Sequence, residues 1–426
     1  MTSAAARAQV GDVVEVTVGE AVHGGWCVAR PGRDTGPGRD GGPPQDGAPG
    51  QDGGPGRGGM VIFVRHALPG ERVRAVITQT TARFARADAA EILRPAPGRV
   101  RPPCPHAGPG GCGGCDWQHA SLPAQRELKA QIIGQQLRRI AGIEQDVIVE
   151  PLAGDPGGLG WRTRVRFAVG RDGTAGLRQH RSHQIVRVGD CLIAHPLVTA
   201  AEVTRRRWPG AESVDVAVSP GSGQRALLAA RRRGQQPGER FLTQQAAGRQ
   251  WRVTATGFWQ VHPAAADTLA DAVLAALRPE AGETALDLYC GAGLFAGVLA
   301  EAVGAAGTVI AVERDAKAVR DARHNLRPTP WARVHRGDAA GVLGRIGLSG
   351  ASIAVLDPPR QGADRALIAM LRGLRRIAYV SCDPATLARD LAIFGQHGWR
   401  LDGLRAFDAF PMTHHVECLA TIAPAG

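Results

Sequence analysis

The sequence predicts a multidomain α/β chain with a small N-terminal β-barrel, a central α+β segment and a C-terminal doubly wound parallel sheet. Three observations carry that expectation. Residues 8–30 and 60–94 alternate apolar and polar side chains in strand fashion; residues 104–115 crowd three cysteines into a glycine-rich run; and from about Thr254 strand-like and helix-like stretches alternate to the end. The boundaries read from these shifts are 1–95, 96–250 and 251–426, and 426 residues suit two or three domains.

In the first segment "DVVEVTV", "MVIFV" and "ERVRAVI" supply the barrel strands. Between them, residues 31–59 are almost wholly Gly, Pro, Asp, Arg and Gln. Such a stretch cannot bury enough apolar surface to offset the entropy of ordering it, so it is expected to be a disordered insertion and carries no site. No apolar run approaches 18 residues and "MTSAAARAQV" has no leader character. A membrane span and a secretory signal are therefore not expected, and a cytoplasmic, monomeric protein is. Eight cysteines are too sparse for a disulfide scaffold, and clustered ones in a reducing compartment point to metal or catalysis.

The net charge is +12, and residues 151–250 hold +9 of it, with 16 basic residues against 7 acidic ones, including "RRR" at 205–207 and 231–233. That concentration is either a solvated face or a phosphate-binding one. Only Lys129 and Lys317 among the 51 basic residues are lysines, a bias that reflects composition rather than function.

In the last segment "LDLYCGAGLF" (286–295) reads as a strand, a glycine turn and a helix, with Glu313 ending the next strand 20 residues after Gly293. Glycines let the backbone approach a nucleotide, and an acid at that spacing can accept from both ribose hydroxyls. The third glycine of a dinucleotide fingerprint is missing, which favours S-adenosylmethionine over NAD. Asp338 closes a third strand, where such folds place an acid near the adenine. Asp357 in "VLDPPRQG" closes a fourth, where two prolines stiffen the turn. Arg360 follows them and can hydrogen-bond a base carbonyl or a phosphate.

"YVSCDPATLARDL" (379–391) hands a strand over to a helix whose N-cap is Asp383 and whose first turn holds Pro384. Cys382 stands at that handover, either a packed thiol or a nucleophile. Helix-terminal amides favour the thiolate and neighbouring Asp383 opposes it. Glu417, an acid inside "VECLA", reads as solvent-facing on an edge strand or, if buried beside the cysteine, as a general base with a raised pKa. His414 and His415 read as structural. Cys104, Cys112 and Cys115 with the distant Cys191 suit zinc or an iron–sulfur centre, zinc being the commoner choice on spacing.

Taken together, "YVSCDPATLARDL", "DPPRQG" and "FPMTHHVE", in that order, resemble the S-adenosylmethionine-dependent RNA uridine-5-methyltransferases over nearly the whole chain. The resemblance implies a TRAM-type barrel of the OB class at the N-terminus, a central cluster-binding domain and a Rossmann-like methyltransferase domain. By motif it implies Cys382 as nucleophile and Glu417 as base, with Gln260 in "GFWQVHP", Tyr289, Glu313, Asp338 and Asp357 at the cofactor. It makes Cys104, Cys112, Cys115 and Cys191 the ligands of a 4Fe–4S cluster, which replaces the zinc reading, and it makes RNA, ribosomal or transfer, the partner. Cytosine-5 methylation and an RNA-binding iron–sulfur redox protein with an inactive methyltransferase fold are the alternatives.

Overall fold

The computed structural model describes residues 9–30, 60–154, 157–231, 240–348 and 350–426. The insertion at 31–59 and Arg232 and Arg233 of the second arginine run lie outside the described residues. The chain divides into two compact units, one running to Gly110 and taking in Asp116–Ser121, the other comprising Gly111–Cys115 and Leu122–Gly426. Residues 96–250, read from the sequence as a domain of their own, are shared between the two.

In the first unit β1 (Val13–Val22), β2 (Trp26–Ala29), β3 (Val61–Arg65), β4 (Arg72–Thr80) and β5 (Phe84–Arg94) close a barrel in the order β1-β2-β3-β5-β4. The alternation seen in the sequence is the cause: Val16, Val18, Ile62, Val64, Val73, Ala75, Ile77, Ala85 and Ala87 fill the interior.

The second unit begins its regular structure with α1 (Leu122–Gln136), continues through a π-helical turn at 137–141, and sends β6 (Val149–Pro151) into the main sheet. Then come β7 (Arg164–Val169), β8 (Ala175–Arg178), β9 (Ile185–Val186), the single turn α2 (Pro196–Thr199), β10 (Ala211–Ser219) and β11 (Gln224–Arg231). These five strands make one sheet, and β12 (Phe241–Ala246) with β13 (Arg249–Thr254) a hairpin.

From α3 (Ala265–Leu277) onward the chain winds through β14 (Thr284–Leu288), α4 (Leu294–Val303), β15 (Thr308–Glu313), α5 (Ala316–Asn325), β16 (Ala332–Arg336), α6 (Ala339–Ile346), β17 (Ala351–Leu356), α7 (Arg365–Met370), β18 (Arg376–Ser381), α8 (Pro384–Gln396), β19 (Trp399–Asp408) and β20 (Glu417–Pro424). The eight-stranded sheet runs β16-β15-β14-β17-β18-β20-β19-β6, parallel from β16 to β18, with β20 antiparallel to both neighbours.

Strands covered on both faces read as near-continuous apolar runs, and β14, β15, β17 and β18 do so over most of their length, with Asp287 of β14 a buried exception. Ala285, Val309, Ile353, Val355 and Val380 pack with α3 and α4 on one face, and Leu286, Leu288, Ile310, Leu356 and Ile377 with α6, α7 and α8 on the other. The strand order reverses between β14 and β17, so the crevice of this sheet opens at their carboxyl ends. No helix among the described residues is long and apolar enough to cross a membrane.

Trp251 ties the β12–β13 hairpin to the sheet: it is fully buried and its ring lies against Gly297 of α4, where any side chain would collide with it. Trp251→Ala should therefore cost about 3–5 kcal/mol of unfolding free energy in urea titration, whereas a change at exposed Phe241 in the same hairpin should cost under about 1 kcal/mol.

Candidate active site

The crevice is built by three strand ends. After β14, Tyr289 adopts φ +73° and Gly291 and Gly293 adopt φ +53° and +93°, so the backbone turns sharply before α4 with no side chain in its way at the glycines. Glu313, the last residue of β15, accepts the Gly291 N–H (3.0 Å) on one oxygen and the Asp315 N–H (2.7 Å) on the other. Asp357 follows β17 directly. Sequence reasoning passed over Asp287, a wholly buried acid on β14. One of its oxygens accepts the Ala296 N–H (2.6 Å) and the other is buried with no partner. An acid inside the apolar "LDLY" run was the signal available for it.

These carboxyls shape one another. Burial pushes Asp287 well above the usual carboxylate range, and Asp357 and Glu313 add repulsion; burial, then Glu313, push Asp357 up to about 7. Three acids converging on a glycine turn, one with a buried unused oxygen, fit a positively charged nucleoside such as S-adenosylmethionine.

The other expected cofactor residues are placed around this crevice unequally. Tyr289 is half-buried; burial raises its phenol to about 12, the Asp364 amide opposes that, and Asp338 adds to it. Asp338 is exposed and caps α6 by accepting the Gly341 N–H at 2.9 Å. Gln260 is buried, next to Trp259, which packs in the same apolar cluster as Cys290, Ala292 and Leu294 of the glycine turn.

Cys382 lies between β18 and α8, and Asp383 caps that helix by accepting the Thr386 N–H at 2.9 Å, with Pro384 in its first turn. Ser381 pairs with Cys418 across β18 and β20, so the register carried one residue on brings Cys382 to Glu417. Glu417 is buried, on a strand inside the sheet, which excludes the solvent-facing edge reading. Burial, then Asp357, raise its carboxyl well above the usual range, and Arg360 opposes them.

The thiol is not depressed by its helix terminus. Burial, then Glu417, push it up to about 11, while Arg360 opposes them both as a nearby charge and as a hydrogen-bond donor. Arg360 is held by α8: Thr386 Oγ1 donates to its carbonyl (2.9 Å) and Arg389 Nη2 to that of Gln361 (2.6 Å). Gly362 at φ +83° has no room for a Cβ against Arg389 and Asp390. Arg360 Nη2 also lies 3.4 Å from His415 Nε2, and His415 packs edge-on to Phe410. His415 thus belongs to the surroundings of the cysteine.

The cysteines expected to hold a cluster are distributed. Cys104 belongs to the first unit, and Cys112, Cys115 and Cys191 to the second. None of the four is in a disulfide, and Cys115 and Cys191 pack against one apolar cluster of Trp161, Ile193 and Met412. Among the described residues no three His, Cys, Asp or Glu side chains converge closely enough to hold a metal. The basic stripe is partly neutralised: Arg205 meets Asp190 and Glu202, Arg206 meets Glu202, and Arg207 meets Asp172, all in exposed pairs.

Residues 348–423 match the tRNA (Uracil-5-)-methyltransferase family, residues 238–347 match protein-L-isoaspartate(D-aspartate) O-methyltransferase and residues 7–90 match the TRAM domain. An uncharacterized RNA methyltransferase of Streptomyces avermitilis is 45% identical over 98% of this chain and 99% of its own length. The 23S rRNA (uracil(1939)-C(5))-methyltransferase RlmD of Alkalilimnicola ehrlichii is 33% identical over 84% and 91% respectively. Among solved structures, the tRNA (uracil-54, C5)-methyltransferase of Pyrococcus abyssi superposes with a TM-score of 0.65 at 22% identity, covering 86% of this chain and 96% of that one, and so shares the fold.

The electrostatics around Cys382 predict its reactivity. With its pKa near 11 the thiolate is scarce at pH 8, so alkylation by iodoacetamide, followed by peptide mapping, should quicken about tenfold per pH unit up to that value. Arg360→Met should slow the reaction at pH 8 and Glu417→Gln should quicken it; equal rates in both variants would mean that neither group faces the thiol.

Proposed function

This chain belongs to the RNA (uracil-5-)-methyltransferase family, and on that footing we propose that it methylates carbon 5 of a uridine in ribosomal or transfer RNA through a covalent cysteine–uracil intermediate. The observation that carries the reading is the pairing of Cys382 with buried Glu417 at the mouth of a crevice lined by Asp287, Glu313 and Asp357.

Carbon 5 of uracil is a weak nucleophile. Addition of the Cys382 thiolate to carbon 6 converts the ring to an enolate whose negative charge is carried by carbon 5 and the carbon 4 oxygen. Arg360, already opposing the rise of the thiol pKa, favours the thiolate. S-adenosylmethionine, when bound, would supply an electrophilic methyl group to carbon 5, the methyl–sulfonium bond breaking and its electron pair staying on the sulfur of the S-adenosylhomocysteine that leaves. The ring then carries both a methyl and a hydrogen at carbon 5. Glu417 as carboxylate removes that proton, the carbon 5–carbon 6 double bond re-forms, and the Cys382 sulfur leaves with the electron pair of its bond to carbon 6. A carboxyl whose pKa is raised by burial is matched to that proton transfer.

Gln260, Tyr289, Glu313, Asp338 and Asp357 are assigned to the cofactor, and Asp287 joins them because its buried unpartnered oxygen lies at the same crevice. The target base must leave its stack to reach Cys382, which suits a loop or single strand of RNA in the cytoplasm. Phe258, 68% exposed beside buried Trp259 and Gln260, offers such a base a stacking surface. Exposed ion pairs contribute little, so the arginines at 205–207 can exchange their partners for phosphates.

The two catalytic assignments act at different steps. Cys382→Ala should abolish both methyl transfer and any protein–RNA adduct. Glu417→Gln should still add and methylate but release product about 10²- to 10⁴-fold more slowly, so that an adduct accumulates on a denaturing gel. Wild-type turnover by Glu417→Gln, or an adduct from Cys382→Ala, would overturn the assignment.

A 4Fe–4S cluster on Cys104, Cys112, Cys115 and Cys191 is proposed on the motif resemblance and on the chemistry of four thiols outside any disulfide, not on their placement. Protein purified without oxygen should then be brown and contain about four iron and four sulfide per chain. Colourless protein with zinc as its bound metal would return the site to zinc.

A further inference from the structure

β19 ends at Asp408 and β20 begins at Glu417, so residues 409–416 form the loop that delivers Glu417 to the site. Two side chains one helical turn apart on α1, Gln125 and Lys129, hold that loop, and both are buried. Lys129 Nζ donates to Asp408 Oδ1 (2.5 Å) and to the Phe410 carbonyl (3.1 Å). Gln125 Oε1 accepts the Met412 N–H (2.7 Å), and its Nε2 lies 3.4 Å from Met412 Sδ. Met412 itself is held at φ +68°, a conformation that costs energy for any residue with a Cβ. Close packing of Leu122, Pro411 and Met412 around Gly158 leaves no space for a Cβ there.

The bonds continue toward the cysteine. The Phe410 carbonyl also accepts from Thr413 N (3.2 Å) and Thr413 Oγ1 (2.8 Å), Thr413 Oγ1 accepts the His415 N–H (3.2 Å), and His415 meets Arg360. Asp408 has its other oxygen buried with no partner, so Lys129 is the one cation shown bonded to it among the described residues. A buried ion pair is usually no more stabilising than apolar residues of the same volume, which argues that this one serves position. It is also one of only two lysines in a chain whose basic residues are otherwise arginine; a compact ammonium reaches two acceptors on one strand end where a planar guanidinium would need more room.

We propose that Gln125 and Lys129 are positioning residues for proton removal from carbon 5: they clamp residues 408–412 and so set where Glu417 stands against Cys382, without touching substrate. The inference rests on the reading of Glu417 given above.

The test uses the full chain with two variants, Gln125→Leu and the double variant Lys129→Met with Asp408→Asn, which removes the tether without leaving a buried charge unpaired. Hydrogen exchange on the free protein should show residues 409–416 exchanging about tenfold faster or more while β14 to β18 stay protected. With RNA and S-adenosylmethionine in single turnover, adduct formation should stay within about twofold of wild type while adduct release slows about tenfold or more, the pattern of a displaced base. Unchanged exchange in 409–416, or formation and release falling in parallel, would overturn the clamp. Should the wild-type chain form no adduct with any RNA, the uridine reading fails, and the exchange result still decides whether α1 holds the loop.

Discussion

Because β20 enters the sheet antiparallel between β18 and β19, its first residue lies buried at the carboxyl edge of the parallel strands, facing the turn that carries Cys382. A carboxyl in that position cannot be solvated, so its pKa rises, and its neighbours respond. Burial, then this carboxyl, raise the thiol, and among the described residues the cation that opposes both shifts is Arg360, on the turn after β17. Cys382, Glu417 and Arg360 therefore form one electrostatic unit, and each depends on a different strand end.

The crevice next to that unit carries an excess of acid. Burial raises Asp287 and Asp357, with Asp357 and Glu313 adding to the first and Glu313 to the second, which destabilises the ligand-free protein: a group whose pKa is raised contributes stability below its unfolded value and loses it as pH rises through the folded one, for Asp357 between about 4 and 7. A cationic cofactor relieves that repulsion. The crevice is thus complementary to the positive charge of a sulfonium nucleoside, a stronger argument for such a ligand than the glycine turn alone.

The loop that leads to Glu417 is held by structure outside the parallel strands. The loop before β20 is gripped by α1, and Met412 of that loop also packs with Trp161 and Ile193 beside Cys115 and Cys191. The loop segments that carry Cys115 and Cys191 and the loop before Glu417 therefore share packing, and the length of chain between them in sequence gives no hint of it.

The winding of the sheet was legible in the sequence because its central strands are largely apolar and α4 to α8 each begin at Gly293 or at a capping aspartate; these are local properties of consecutive residues. Asp383 as a cap, Glu313 at a strand end and Cys382 at a strand-to-helix handover could all be read from sequence for that reason. What the sequence left open was decided by contacts between residues far apart in the chain. Whether Glu417 faced solvent depended on β19 covering it, the state of the Cys382 thiol depended on burial, then on Glu417 and Arg360, rather than on its own helix, and the grip of Lys129 on Asp408 joins residues 279 positions apart. Burial and opposed charge belong to the folded neighbourhood, and a reading that runs along the chain can name the candidates for such a pair but not bring them together.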